Sequence, residues 1–318
     1  MSKATLLYNP TAGRFPARPF IKKVTHVLAE GGWTLQVFET SAKMHLVEQA
    51  RRAVEDGEDA VFVAGGDGSV GTVASILAGT STALAVLPAG TANVWAKELG
   101  LQNLDWIHWF ALEDAAYRLS QGTYRFTDIG VCNGEGFLLW AGIGLDAEIV
   151  DSVEPRGRFK KTLGTAQYAT LALWETLGWE GIHLQVIAPG VELQGKFLVA
   201  VASNIRAYAG GLVELAPDAK VDDGLLDFWL FEGRSLKDVV HHALQVLRGT
   251  HAHSPDVIHF QSDEATFLAN DTITMQCDGE PKSMDSPIRF RVRKRNLRVL
   301  VPLGGRSTLF SEDPSLLR

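Results

Sequence analysis

Three short apolar runs in the first third of the chain, Thr5 to Tyr8, Asp59 to Ala64 and Ala83 to Leu87, each stop in a polar loop that carries glycine. The loops are Asn9-Pro10-Thr11-Ala12-Gly13-Arg14, Gly65-Gly66-Asp67-Gly68-Ser69 and Pro88-Ala89-Gly90-Thr91-Ala92-Asn93. Between the runs, apolar residues recur at helical spacing in Phe20, Val24, Val27 and Leu28, and again from His45 to Val54. Leu35 to Phe38 reads as a further strand, and the stretch from Ser69 through Leu77 as a helix. Short buried strands alternating with helices build a parallel sheet with helices on both faces. Open sheets of this kind bind ligands at the carboxyl ends of their strands, and all three loops fall there.

After about Asp128 the pattern changes. Phe137 to Ala141, Leu184 to Ile187, Phe197 to Ala202, Leu225 to Phe231, Ile258 to Gln261, Ala265 to Leu268, Thr272 to Cys277 and Ile288 to Val292 read as strands. Several of them alternate apolar and polar residues as half-buried antiparallel strands do. Helical stretches interrupt near Thr165 to Leu177 and Leu236 to Leu247. The expected division is an α/β domain over 1–129, a β-rich domain over 130–306 and a loosely ordered tail over 307–318. A chain of 318 residues exceeds the usual size of a single core, which also favours two domains.

Composition excludes some classes of function. The net charge of −7 is a poor match to a phosphate backbone, so no nucleic-acid partner is expected. The two cysteines, Cys132 and Cys277, are too distant in sequence for a CxxC metal clip, and they suit a reducing compartment. No signal-peptide core is visible, and no apolar run reaches the ~20 residues of a membrane helix. The expectation is a cytoplasmic protein whose membrane contact, at the inner surface, is peripheral.

Glycines in the Gly65 to Ser69 loop let the backbone turn sharply and approach a ligand. Backbone N–H groups and the start of the following helix favour phosphate oxygens. A carboxylate there would repel phosphate unless a cation intervenes, which makes Asp67 a candidate for holding Mg²⁺. Gly66-x-Gly68-x-x-Gly71 matches the dinucleotide fingerprint formally. It follows the third strand, however, and lacks an acidic residue after the next one. Gly190-x4-Gly195-Lys196 resembles a Walker A loop, but Phe197 replaces the hydroxyl residue and strands flank it on both sides.

The three loops together resemble the catalytic domain of the diacylglycerol kinases and bacterial lipid kinases. Ala141-Gly142-Ile143-Gly144-Leu145-Asp146-Ala147, Gly210-Gly211, Ala216-Pro217-Asp218-Ala219-Lys220-Val221-Asp222-Asp223-Gly224-Leu225-Leu226-Asp227 and Asp278-Gly279-Glu280 continue the likeness in order. A Gly-Gly-Asp-Gly loop alone is shared with 6-phosphofructokinases and NAD kinases. The resemblance implies an NAD-kinase/phosphofructokinase-like α/β domain with a parallel sheet, a C-terminal β-sandwich-like domain, and an ATP site in the cleft. By matching positions, Asn9, Pro10, Thr11, Ala12, Gly13, Thr40, Gly66, Asp67, Gly68, Ser69, Val70, Gly71, Thr72 and Thr91 would contact ATP. Asp223, with the carbonyls of Lys220 and Leu225, would hold a structural Mg²⁺. Glu280 would accept the proton of the lipid hydroxyl, with Asp278 beside it and Asp67 as the third catalytic carboxylate. The implied activity is transfer of the ATP γ-phosphate to diacylglycerol or a related lipid, in membrane-lipid synthesis.

The chain departs from the family pattern at five positions, two of them mild: Arg14 replaces a frequent lysine and keeps the charge, and Ser69 replaces threonine. Gly71-Thr72 stand where many relatives carry Asn-Glu, and Val94 where Asp follows the asparagine, which removes two carboxylates from the phosphate loops. These departures make a catalytically silent nucleotide or lipid binder one alternative; the other is an NAD-kinase-like enzyme, which the late Asp278-Gly279-Glu280 and the Pro217 to Asp227 stretch disfavour. Without its companions, Asp278-Gly279-Glu280 also reads as a plain hairpin turn. Arg156-Gly157-Arg158-Phe159-Lys160-Lys161 and the alternating Arg289, Arg291 and Arg293 are candidate contacts with an anionic membrane. Trp174 and Trp179 read as helix packing, and the histidines at 241, 242, 251 and 253 as hydrogen-bonded or solvent-facing rather than zinc ligands. A homodimer is among the expectations.

Overall fold

The computed structural model describes residues 1–13, 17–40, 42–105, 107–144, 181–270 and 272–311. The expectations for Arg14, Leu145 to Ala147, the basic 156–161 stretch, the 165–177 helix, Trp174 and Trp179 lie outside these residues. The chain forms two compact units. The first comprises residues 1–129, 220–223 and 294–318, the second 130–219 and 224–293.

The first unit opens with β1 (Ser2–Tyr8), α1 (Arg18–Glu30), β2 (Trp33–Glu39), α2 (Lys43–Glu55), β3 (Ala60–Gly65), α3 (Asp67–Leu77) and β4 (Ala83–Pro88). The strands are parallel in the order β4-β3-β1-β2, with Leu6 opposite Phe62 and Val37. Every residue of β3 and β4 is buried, which explains why these strands read as unbroken apolar runs. The face of α1 that meets the core carries Ile21, Val24 and Leu28, and its first turn holds a proline. Helices pair as α2 with α3 and as α1 with α5 (Ala111–Ser120). The short α4 (Val94–Glu98) and α5 both lie ahead of Asp128 and were not anticipated.

β5 (Thr123–Cys132) leads out of this unit, and two later segments return to it: Lys220–Asp223, and the later half of β17 (Ile288–Val301), which pairs in parallel with β4 at Val299 and Leu84. The buried Asp128 fastens both returns: its N–H donates to the Val221 carbonyl at 2.6 Å, and its Oδ1 accepts the Arg295 N–H at 2.6 Å. The expected loose tail is corrected for residues 307–311. Ser307–Leu309 form a 3₁₀ turn with Leu309 and Phe310 buried. The Val221 N–H donates to the Leu309 carbonyl, and the Ser311 N–H to Asp222 Oδ1 at 2.6 Å.

In the second unit, β6 (Glu135–Phe137) and β7 (Trp140–Gly144) replace the single strand expected over Phe137 to Ala141. The unit continues with β8 (Ile182–Ala188), β9 (Val191–Ser203), β10 (Ala207–Tyr208), β11 (Val213–Glu214), β12 (Leu226–Glu232) and α6 (Leu236–Leu247). Next come β13 (Val257–Ser262), β14 (Glu264–Leu268), β15 (Ile273–Cys277), β16 (Glu280–Met284) and the start of β17. The pairings are antiparallel throughout: β9 carries β8 along its first half and β7 and β12 along its second. Gly190 and Lys196 sit in the β8–β9 hairpin, so the Walker-like spacing there has no phosphate loop behind it. The core packs Phe228 against Phe260, Phe267 and Phe290 with ring centroids 4.9 to 5.9 Å apart. Arg289, Arg291 and Arg293 alternate outward between the inward-facing Ile288, Phe290 and Val292, as the pattern required. Cys132 and Cys277, distant in sequence, share this core as free thiols, and a hydrogen bond with Cys132, together with burial, pushes the Cys277 thiol far up.

Candidate functional site

The three loops of the first unit touch one another at the carboxyl ends of their strands. A Cβ on Gly13 would meet the Ala89 carbonyl oxygen at 2.4 Å, and one on Gly90 would meet the Gly66 Cα at 2.3 Å. Only backbone fits between them. The first loop is curled by Asn9, whose Oδ1 accepts from both the N–H and the hydroxyl of Thr11 at 2.9 Å, and Gly13 follows at φ +67°. Thr40 ends the neighbouring strand, its N–H and hydroxyl both directed to the Tyr8 carbonyl.

The third loop is shaped by asparagines. Asn93 adopts the left-handed conformation at φ 50° and ψ 51° and closes on Gly90, accepting its N–H at 2.8 Å and donating to its carbonyl at 2.9 Å. Asn103 Oδ1 takes a second proton of the same amide, while Asn103 Nδ2 reaches the Thr91 and Ala92 carbonyls. Sequence reading missed Asn103, since nothing local marks its partner ten residues back.

Asp67 joins the second loop to the third. Its Oδ1 accepts the Val94 N–H at 2.6 Å and the Trp95 N–H at 3.4 Å, so the carboxylate caps the start of α4. Burial nevertheless raises its pKa above the ordinary carboxylate value, outweighing those N–H groups. Within α3, the Thr72 hydroxyl bonds back to the Gly68 carbonyl at 2.8 Å, and Val70 points into the core. Val94 is buried too. Of the proposed nucleotide contacts, Val70, Thr40 and Ala12 therefore offer backbone rather than exposed side chain.

Gly68 is different. It lies in the first turn of α3 with nothing within 4 Å of where a Cβ would stand, and its φ is not positive. Alanine would suit a helix there better by ~1 kcal/mol. No contact among the described residues requires the glycine; a ligand approaching this turn would.

In the second unit, Asp278 and Gly279 form the two-residue turn between β15 and β16, with φ of 49° and 82° as a type I′ hairpin demands. The hairpin turn expected of these residues taken alone is present. The Asp278 carboxylate binds the chain that precedes β7: Oδ2 accepts the Leu138 N–H at 2.8 Å, and Oδ1 the Leu139 N–H at 2.8 Å and the Trp140 N–H at 3.3 Å. From the other side Asn204 donates to the Leu138 carbonyl through Nδ2 and to the Leu139 carbonyl through its N–H. Gln276 Oε1 holds the Gly279 N–H at 2.7 Å. Glu280 follows, half-buried, on β16. Asn204 and Gln276 carried no signal in the sequence beyond being polar residues at strand ends.

The turn expected to hold a cation spans the limits of the units, with Lys220 to Asp223 in the first and Leu225 in the second. The two aspartates divide: Asp222 is buried on the Ser311 amide, whereas Asp223 is half-buried. Lys220 turns its ammonium to the Thr308 carbonyl at 2.6 Å. The carboxylate of Asp223 and the carbonyls of its neighbours are hard oxygen donors, the type that Mg²⁺ takes. Among the described residues, no three His, Cys, Asp or Glu side chains cluster as a metal group.

Residues 3–136 match the family described as "Diacylglycerol kinase catalytic domain", and residues 141–301 match the "YegS C-terminal NAD kinase beta sandwich-like domain". The chain belongs to the diacylglycerol kinase catalytic-domain family. A diacylglycerol kinase of Bacillus subtilis is 27% identical over 307 residues, covering 95% of this chain and 97% of that protein. One from Staphylococcus carnosus is 23% identical over 314 residues, covering 98% and 99%. The crystal structure of a diacylglycerol kinase from Bacillus anthracis superimposes with a TM-score of 0.72 at 19% identity, covering 94% of this chain and 97% of that one. This likeness shows the fold, an α/β region with parallel strands followed by an antiparallel, sandwich-like one. Membership in the diacylglycerol kinase family makes the chain a member of a lipid kinase family. Among the described residues, no helix is long and apolar enough to cross a membrane.

Proposed function

We propose that this protein is an ATP-dependent kinase that transfers the γ-phosphate to a hydroxyl of diacylglycerol or a related lipid, acting peripherally at a membrane surface. The observation that carries the reading is Gly68, a glycine in the first turn of α3 that no contact among the described residues requires, beside loops whose glycines pack backbone against backbone. Backbone N–H groups of Gly66 to Ser69, with the Asn9 to Gly13 and Thr91 loops, would cradle the phosphates. The lipid hydroxyl oxygen attacks the γ-phosphorus as the bond to the bridging oxygen breaks, ADP leaves, and the hydroxyl proton passes to a carboxylate.

Glu280 is the proposed acceptor of that proton. Asp278 has both carboxylate oxygens on amides of residues 138–140, which suits a positioning residue that fixes the turn in front of Glu280. Asp223 and the carbonyls of Lys220 and Leu225 would hold a structural Mg²⁺, and Asp67 Oδ2 is the remaining carboxylate oxygen of the phosphate loops. Mg²⁺, when bound, neutralises phosphate charge.

Buried Val94 and the back-bonded Thr72 favour one other reading, a nucleotide or lipid binder without turnover, because neither position offers a carboxylate. The deciding experiment follows label from γ-labelled ATP with Mg²⁺ into diacylglycerol, sphingosine and ceramide in mixed micelles, with NAD alongside and Glu280→Gln as control. Labelled lipid that vanishes in the control supports the kinase. ATP binding without any labelled lipid replaces it with the silent binder.

A further inference from the structure

Helix α6 presents an apolar stripe to solvent. Val240 is 43% exposed, Leu244 43% and Leu247 67%, at the i, i+4, i+7 spacing that lines one helix face. Leu212, 64% exposed, precedes β11, the strand against which the helix packs. Exposed Lys237, His241 and Arg248 form a second stripe alongside the first. The single acid of the helix, Asp238, faces its own N-terminus, where it accepts from the Arg234 and Ser235 N–H groups in a capping box with Ser235. The opposite face is anchored: His242 bonds the Glu232 carbonyl at 2.7 Å, and Gln245 the Ser254 hydroxyl at 3.1 Å.

We propose that α6 is a membrane-docking element that lies in the plane of an anionic bilayer, with Val240, Leu244 and Leu247 in the acyl boundary and Lys237 and Arg248 among the headgroups. An apolar stripe edged by a basic one is the arrangement that interfacial helices use, with long basic side chains reaching to lipid phosphates. The chain as a whole carries −7, so a locally basic edge opposes its overall charge. A second copy of the chain fits less well. Two α6 helices packed antiparallel about this stripe would set Lys237 of one copy toward Arg248 of the other, cation against cation. Four partly exposed side chains also fall well short of the ~800 Å² per partner of a standard interface. The inference rests on the peripheral membrane action proposed above and deepens it by naming the element that docks; its own support is the geometry of the helix.

The test is cosedimentation of the full chain, without ATP, with vesicles of phosphatidylcholine alone or mixed with phosphatidylglycerol. The native chain is expected to partition onto the mixed vesicles, and added salt to weaken it. Leu244→Glu with Leu247→Glu, both at exposed positions, is expected to abolish binding while the melting temperature holds. Lys237→Glu with Arg248→Glu is expected to weaken it about tenfold or more. No binding by the native chain, or equal binding by the leucine variant, overturns the inference. A native dimer that the leucine variant dissociates, with vesicle binding unchanged, overturns it in favour of a second copy. Turnover of micelle-dispersed lipid, measured separately, tells failure of the kinase reading from failure of this one.

Discussion

Gly90 lies so close to Gly66 that a Cβ on the former would stand 2.3 Å from the Cα of the latter. The contact joins the loop after β4 to the loop after β3 without an intervening side chain, and the surface both loops present depends on it. Gly90→Ala must push them apart. The expected cost is about 1–3 kcal/mol, the range for forcing extra atoms into a packed site, with ATP binding lost. Gly68→Ala, which meets nothing, is expected to hold or raise the melting temperature by a helix-propensity gain of about 1 kcal/mol while ATP affinity falls. Thermal melts beside ATP titrations separate the two, and undiminished affinity in Gly68→Ala would remove the main support for nucleotide at this turn.

Asp278 and Glu280 are expected to fail differently. Asp278→Ala strips the amides of Leu138, Leu139 and Trp140 of their acceptor, so it should lower stability by about 1–3 kcal/mol as well as activity. Glu280→Gln should leave the melting temperature in place and remove phosphoryl transfer alone. Urea unfolding curves with γ-phosphate transfer rates on both variants check this. Equal turnover in Glu280→Gln and the native chain would move the proton to another acceptor.

Glu58 is buried at the amino-terminal side of β3, and burial raises its pKa despite a hydrogen bond from Thr5. The folded state therefore holds this proton more tightly than the unfolded state does. Stability from this group is fully present below the unfolded value of about 4.3 and is lost as pH rises through the raised folded value. Glu58→Gln removes that loss. The variant should melt higher than the native chain at neutral pH, with the gap closing as the solution is acidified; a gap independent of pH would assign the effect to packing.

The adjacent acids Asp222 and Asp223 should separate fold from metal. Asp222→Ala releases the Ser311 amide and should lower the melting temperature with or without Mg²⁺. Mg²⁺ is expected to raise the melting temperature of the native chain, since a ligand stabilises the state that binds it, and Asp223→Ala should abolish that rise. A full Mg²⁺ response in Asp223→Ala would place the cation elsewhere.

Much of the framework was legible in the sequence because its causes are local. β1, β3 and β4 announce themselves as apolar runs because helices cover them, and Pro10, Gly65 and Pro88 mark where they stop. The bounds of α6 follow from Ser235 at its cap and apolar residues at helical spacing, yet the same spacing could not say which apolar side chains face outward. That depends on how far α6 sits over β11, as the placement of 307–311 depends on Val221 and Asp222. The site divides along the same line. Its glycines and carboxylates stood out by type, but their partners lie far along the chain: Asp278 answers to amides about 140 residues earlier, and Asp222 to the amide of Ser311. Sequence alone determined the strands of the first unit and the glycine loops that end them, since each follows from neighbouring residues. Only the tertiary structure decided which backbone groups Asp67, Asp222 and Asp278 hold, because a hydrogen bond is set by distance in space and not by separation along the chain.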